Sequence, residues 1–166
     1  FKRQRAIGTK AKSPDGNWEA FAKDHQLYVR EIESKKEFQL SQTGEEKNAF
    51  RNRPIFWSPD SRFIATLQFQ PGDDRQVYLI ESSPTDQLQP KLHQHTYPKP
   101  GDKIRTSALR LFDLKTKKLV PIDGALFENA WERKHFRWRA DSSEFVFLFN
   151  QRGHQAMRVI GVNPQL

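Results

Sequence analysis

His93 and His95, separated by one residue, come nearest in this sequence to a metal-ligand pair. On a strand, alternate side chains share a face, so both imidazoles could reach one ion. No carboxylate or third histidine lies nearby in sequence, and alternation in an exposed strand accounts for the pair. Asp73-Asp74 follows Pro71-Gly72 and reads as a turn, not a calcium loop. Arg152-Gly153-His154 reads as a tight turn between strands, with Gly153 supplying a positive φ. The chain has no cysteine, which excludes a thiol nucleophile, a disulfide scaffold and a cysteine-built zinc site. No metal and no cofactor are expected.

The elements that position these residues must come from 166 residues, about one domain's worth. Thirteen Phe, four Trp and three Tyr are too many aromatics for a chain that never buries a core. No run of 18 apolar residues is present. The net charge is +8, from 28 Lys and Arg against 20 Asp and Glu. Such a balance invites a nucleic-acid partner, but the basic residues are scattered and the densest group is Lys2, Arg3 and Arg5. Without a basic helical stripe or an RNA-binding sheet signature, nucleic acid is not expected as a partner.

Three segments repeat. Ser13-Pro14-Asp15-Gly16-Asn17-Trp18, Trp57-Ser58-Pro59-Asp60-Ser61-Arg62-Phe63 and Trp138-Arg139-Ala140-Asp141-Ser142-Ser143-Glu144-Phe145 each join a polar turn to an alternating apolar run. Asp followed by Gly or Ser closes such turns. Each unit continues into a second strand pair, as in Leu27–Ile32 with Phe38–Leu40 and Leu109–Leu114 with Leu119–Ile122. Four short strands per unit describe a propeller blade. Ser13 and Ser58 lie 45 residues apart, a blade-like period. Asp60 and Asp141 lie 81 apart, so the middle unit carries an insertion at about 71–105. Within it Gln76–Glu81 reads as a strand and Tyr97–Asp102 as an extended loop. Short helical turns fit only at Thr43–Phe50 and Ala125–Trp131.

The expected fold is all-β: a partial β-propeller of about two complete four-stranded blades plus most of a third. The whole of 1–166 is read as a propeller fragment. Blade one spans about 6–42, blade two about 53–123 with the insertion, and an incomplete blade three about 134–166. Trp18, Trp57 and Trp138 flank the repeated turns and are expected to fill gaps between blades.

These motifs resemble the N-terminal β-propeller of the dipeptidyl peptidase IV branch of the prolyl oligopeptidase family. The resemblance is carried by the Ser-Pro-Asp turns, by Tyr97-Pro98-Lys99-Pro100-Gly101-Asp102 and by Asn150-Gln151-Arg152-Gly153-His154-Gln155. It implies a serine peptidase that releases dipeptides, with its catalytic Ser, Asp and His in an α/β-hydrolase domain. No Gly-x-Ser-x-Gly elbow occurs in this chain, so no catalytic residue is assigned to it. The family's aminopeptidases hold the substrate amino terminus with two glutamates placed shortly before a Trp-Ser-Pro turn. Glu45 and Glu46 stand shortly before Trp57-Ser58-Pro59. The stretch 47–56 lacks the family's aromatic helix, and a solvated hairpin loop over 42–47 is the favoured alternative.

The reading is therefore a non-catalytic propeller segment that gates substrate access, its partners a hydrolase domain of the same polypeptide and a peptide substrate. A stand-alone interaction propeller of TolB-like or WD-repeat type is the alternative. The resemblance implies a periplasmic, secreted or membrane-tethered location. The sequence opens on Phe1 and stops at Leu166, read here as cuts in a longer chain. On that reading the fragment is expected to self-associate through the open edge of the Met157–Val162 strand.

Overall fold

A computed structural model describes residues 11–165. The chain separates into two units, one running up to Phe69 and again from Ser107, the other Gln70–Thr106. In the first unit, β1 (Ala11–Lys12), β2 (Trp18–Lys23), β3 (Gln26–Glu31) and β4 (Glu37–Gln39) form an antiparallel sheet in that order. β5 (Ala49–Trp57) and β6 (Phe63–Gln70) begin a second sheet. The chain then forms β7 (Gln76–Glu81) and β8 (Lys91–Thr96), a separate two-stranded sheet within the second unit. It returns as β9 (Thr106–Asp113) and β10 (Lys118–Val120), completing the order β10-β9-β6-β5. β11 (Ala130–Trp138), β12 (Phe145–Gln151) and β13 (Met157–Val162) form the third sheet. Nearly all-β meanders of four, four and three strands make a partial β-propeller.

Strand periodicity explains why β6 is buried on both faces. Phe63, Ala65 and Leu67 join β9 residues Leu109 and Leu111 against Trp138, Phe145, Phe147 and Phe149 of the third sheet. The alternate residue Ile64 packs with Trp57 and Phe112 against Ala20, Leu27 and Val29 of the first sheet. A two-residue repeat thus places one strand in two cores at once. Trp57 and Trp138 are buried within these cores, and Trp138 Nε1 donates to the Phe56 carbonyl at 3.1 Å. Trp18 is only half-buried, edge-on to Phe38.

The three repeated turns share one geometry. Gly16, Ser61 and Ser142 sit at positive φ (78°, 61° and 62°) and donate their N–H to the carbonyls of Ser13, Ser58 and Arg139. A serine at positive φ is strained where glycine is not. Its hydroxyl has a use here. Ser61 Oγ accepts from the Asp15 amide at 3.0 Å, and Ser142 Oγ accepts from the Asp60 amide at 3.0 Å. Each turn is thereby latched to the next sheet's turn. Two of the turn carboxylates, Asp15 and Asp141, are held below the ordinary aspartate value by the same local bonding. Burial works to raise Asp15, but Ser13, Asn17 and Ser61 outweigh it and leave it below the ordinary aspartate value. Ser143 lowers Asp141 in the same direction.

One helical expectation is corrected and the other holds. Thr43–Phe50 contains no helix, because Glu45 and Asn48 pair their backbones in a tight turn and Ala49 already begins β5. Helix within Ala125–Trp131 is confined to one 3-10 turn, Ala125–Phe127, since Glu128 is extended and Asn129 takes φ 51°. The strand foreseen at Gln76–Glu81 pairs with the exposed strand read under His93 and His95, here β8, to form a hairpin.

Candidate functional site

At the end of the sheets opposite the repeated turns, the chain crosses from β4 to β5 through 40–48. Two glutamines build this crossing. Gln26 Oε1 accepts from Ser41 Oγ at 2.7 Å and from the Gly44 amide at 3.0 Å, while its Nε2 donates to the Gly44 carbonyl at 2.7 Å. Ser41 Oγ in turn accepts from the Leu27 amide at 2.8 Å. Gly44 is obligatory, because a Cβ there would lie 2.0 Å from the His25 carbonyl oxygen.

Gln68 closes the clamp from the other side. It is fully buried in β6, on the face that carries Ile64. Its Nε2 donates to the carbonyls of Thr43 at 2.8 Å and Asn48 at 3.0 Å, and its Oε1 accepts from Arg110 Nε at 2.8 Å. Every strong hydrogen-bonding atom of this amide is used, as burial demands. The four residues from Glu45 to Asn48 close on themselves: the Asn48 amide donates to the Glu45 carbonyl at 2.9 Å and the Glu45 amide to the Asn48 carbonyl at 3.1 Å.

Glu45 and Glu46 are the exposed tip of this clamped turn. Neither carboxylate lies within ion-pair distance of a cation among the described residues. Two adjacent carboxylates on a fixed backbone can accept charge-assisted hydrogen bonds from an ammonium group. The clamp residues Gln26, Ser41 and Gln68 are absent from the sequence reading. The available signal was one amide, Gln68, inside the apolar run Phe63–Phe69.

The other candidates have structural partners. His93 and His95 lie on exposed β8 with their rings stacked at 6.5 Å, and His93 Nε2 is 2.8 Å from Glu81 Oε2. Among the described residues no three His, Asp or Glu side chains converge as metal ligands. Asp73 Oδ2 accepts from the Lys103 amide at 3.0 Å, tying the insertion's two ends. Gly153 and His154 both take positive φ in the turn after β12, and His154 meets Trp131 edge-on at 5.1 Å. In the second sheet, burial works to raise the Asp113 carboxyl, but paired bonds from Arg62 (3.2 and 2.9 Å) and nearby amides hold it below the ordinary value.

Compared with proteins of known family, residues 3–165 match the profile of the dipeptidyl peptidase IV (DPP IV) N-terminal region. Compared by sequence with curated proteins, the chain has no significant match. Among solved structures it is similar to dipeptidyl peptidase 4 of Porphyromonas gingivalis, with a TM-score of 0.62 at 20% identity, covering 94% of this chain and 24% of that one. It is also similar to a protein described as a candidate dipeptidyl aminopeptidase IV of Bacteroides ovatus, with a TM-score of 0.61 at 16% identity, covering 99% of this chain and 23% of that one. At these identities the likeness is one of fold, and the chain spans about a quarter of either structure. The match over nearly its whole length makes the chain a member of the dipeptidyl peptidase IV N-terminal region family.

Proposed function

We propose that the chain is a non-catalytic propeller segment of a dipeptidyl-peptidase-IV-like serine peptidase. In this role it gates substrate access and faces an α/β-hydrolase domain of the same polypeptide, where acyl transfer takes place. Glu45 and Glu46 receive the free amino terminus of the peptide substrate, which sets the distance from that terminus to the bond cleaved.

One observation carries this reading: the turn that bears the glutamates is clamped by two glutamines, one of them fully buried. A loop that merely links two strands in solvent has no need of a buried amide committed to its carbonyls. A preformed turn lowers the ordering cost of capturing an ammonium group. Tyr97–Asp102 and Asn150–Gln155 add two further family motifs in the same chain.

The test uses the full-length protein that carries this chain and a chromogenic dipeptide substrate. Glu45→Gln and Glu46→Gln should each lower kcat/KM by about tenfold or more, the scale of one lost charge-assisted bond. Dipeptide release unchanged by both substitutions overturns the role of the pair. Absence of any peptidase activity in the full-length protein favours the stand-alone interaction propeller.

A further inference from the structure

A cavity of about 510 Å³ opens between the start of β9, the end of β10 and the 121–129 connector. Its wall is apolar along Leu109, Val120, Ile122 and Phe127. Two cations line it, Arg110 and Arg133, against one carboxylate, the exposed Glu128. Arg133 donates from Nη1 to the Ser107 carbonyl (3.1 Å) and hydroxyl (3.2 Å), and from Nη2 to the Phe127 carbonyl (3.1 Å). Its Nε is buried with no partner, and no carboxylate lies within ion-pair distance among the described residues. Burial pulls this guanidinium below its ordinary pKa. Arg110 is committed at Nε to Gln68, and its terminal amines have no hydrogen-bonded partner among the described residues.

Tying three acceptors together needs donors, not charge. A neutral side chain would do so without the cost of an uncompensated, half-buried cation. Elsewhere in the same unit, Arg62 meets Asp113 and Arg30 meets Glu37. At Arg133 the chain supplies no counter-ion, and beside that charge it keeps an open apolar space of ligand size. We infer that this cavity binds a small carboxylic acid with an apolar body. The carboxylate neutralises Arg133, while the hydrocarbon part lies on Leu109, Val120, Ile122 and Phe127. The inference is independent of the role given to Glu45 and Glu46.

The test is titration of the full-length protein with 4-phenylbutyrate and, separately, with its neutral amide, followed by calorimetry. The acid should bind about tenfold or more tightly than the amide, one charge-assisted hydrogen bond's worth. Arg133→Gln should abolish that preference. Because Arg133 also ties the connector to β9, a second variant is needed. Gly124→Trp, at a lining position of ordinary helical φ (−85°) where a Cβ meets only Phe127 Cε2 at 3.9 Å, should block binding of the acid with the guanidinium intact and the melting temperature unchanged. Equal affinity for acid and amide overturns the inference, as does binding that survives Gly124→Trp, or no binding of the acid at millimolar concentration.

Discussion

The two ends of the three-sheet unit follow different rules. At one end the same polar turn occurs three times, and serine hydroxyls latch each turn to the next. At the other end nothing repeats. The crossing over 40–48 is clamped by glutamines, the 121–129 connector lines a cavity beside an uncompensated arginine, and the turn after β12 sets a histidine edge-on to a tryptophan. Repetition serves the contacts that every blade needs. The unrepeated end carries devices whose cost no strand or turn requires, and such departures from local consistency mark function.

The largest expected effect tests the shared core beneath both ends. Trp57→Ala removes a buried indole from the contact between the first two sheets and should cost about 3–5 kcal/mol in equilibrium unfolding. A loss below about 1 kcal/mol would place Trp57 outside that core. Gln68→Leu comes next. It strips partners from the Thr43 and Asn48 carbonyls and from Arg110, a loss of about 1–3 kcal/mol. At the proposed site it should also free the Glu45–Asn48 turn, seen as raised amide exchange there and unchanged exchange at Ser58 and Ser142.

Smaller effects belong to the repeated end. Ser142→Ala removes one latch and should cost about 0.5–1.5 kcal/mol by denaturant titration. Ser61→Gly loses the equivalent latch but relieves a positive φ, so it should cost less than Ser142→Ala. A larger loss for the glycine would show that the positive φ of Ser61 carries no strain for glycine to relieve. Acid resistance gives the mildest test. The folded values of Asp15, Asp113 and Asp141 are depressed, so their stabilisation is present above the unfolded aspartate range, about pH 4. It is lost as pH falls further, through the folded values. Asp113→Asn should flatten that acid slope, measured as unfolding midpoints between pH 5 and pH 2.

What the sequence disclosed divides along the same line. Turn chemistry is local, so Asp with Gly or Ser announced the three hairpins and the alternation after them announced the sheets. The latches were illegible because Asp15 and Ser61 are 46 residues apart, although both were visible as turn residues. Gln68 looked like a stray polar residue because its partners, Thr43 and Asn48, lie 25 and 20 residues away. β8 was legible only as an exposed strand under His93 and His95, and not as the partner of β7, because Lys91–Thr96 carries one apolar residue, Leu92. Glu45 and Glu46 could be named only through the family resemblance, which implies a glutamate pair shortly before a Trp-Ser-Pro turn, whereas the clamp that fixes them required the folded chain.

The central claim is that the clamped turn presents Glu45 and Glu46 to a substrate amino terminus. It is tested most directly by a cycle on the full-length protein, comparing free and N-acetylated forms of one peptide substrate before and after the double substitution Glu45→Gln with Glu46→Gln. The account predicts that the unaltered protein prefers the free amine by about tenfold or more, the low end for a close charged pair at an interface. It predicts that the double variant loses this preference while its unfolding midpoint stays put. A preference of the same size in the double variant would contradict it.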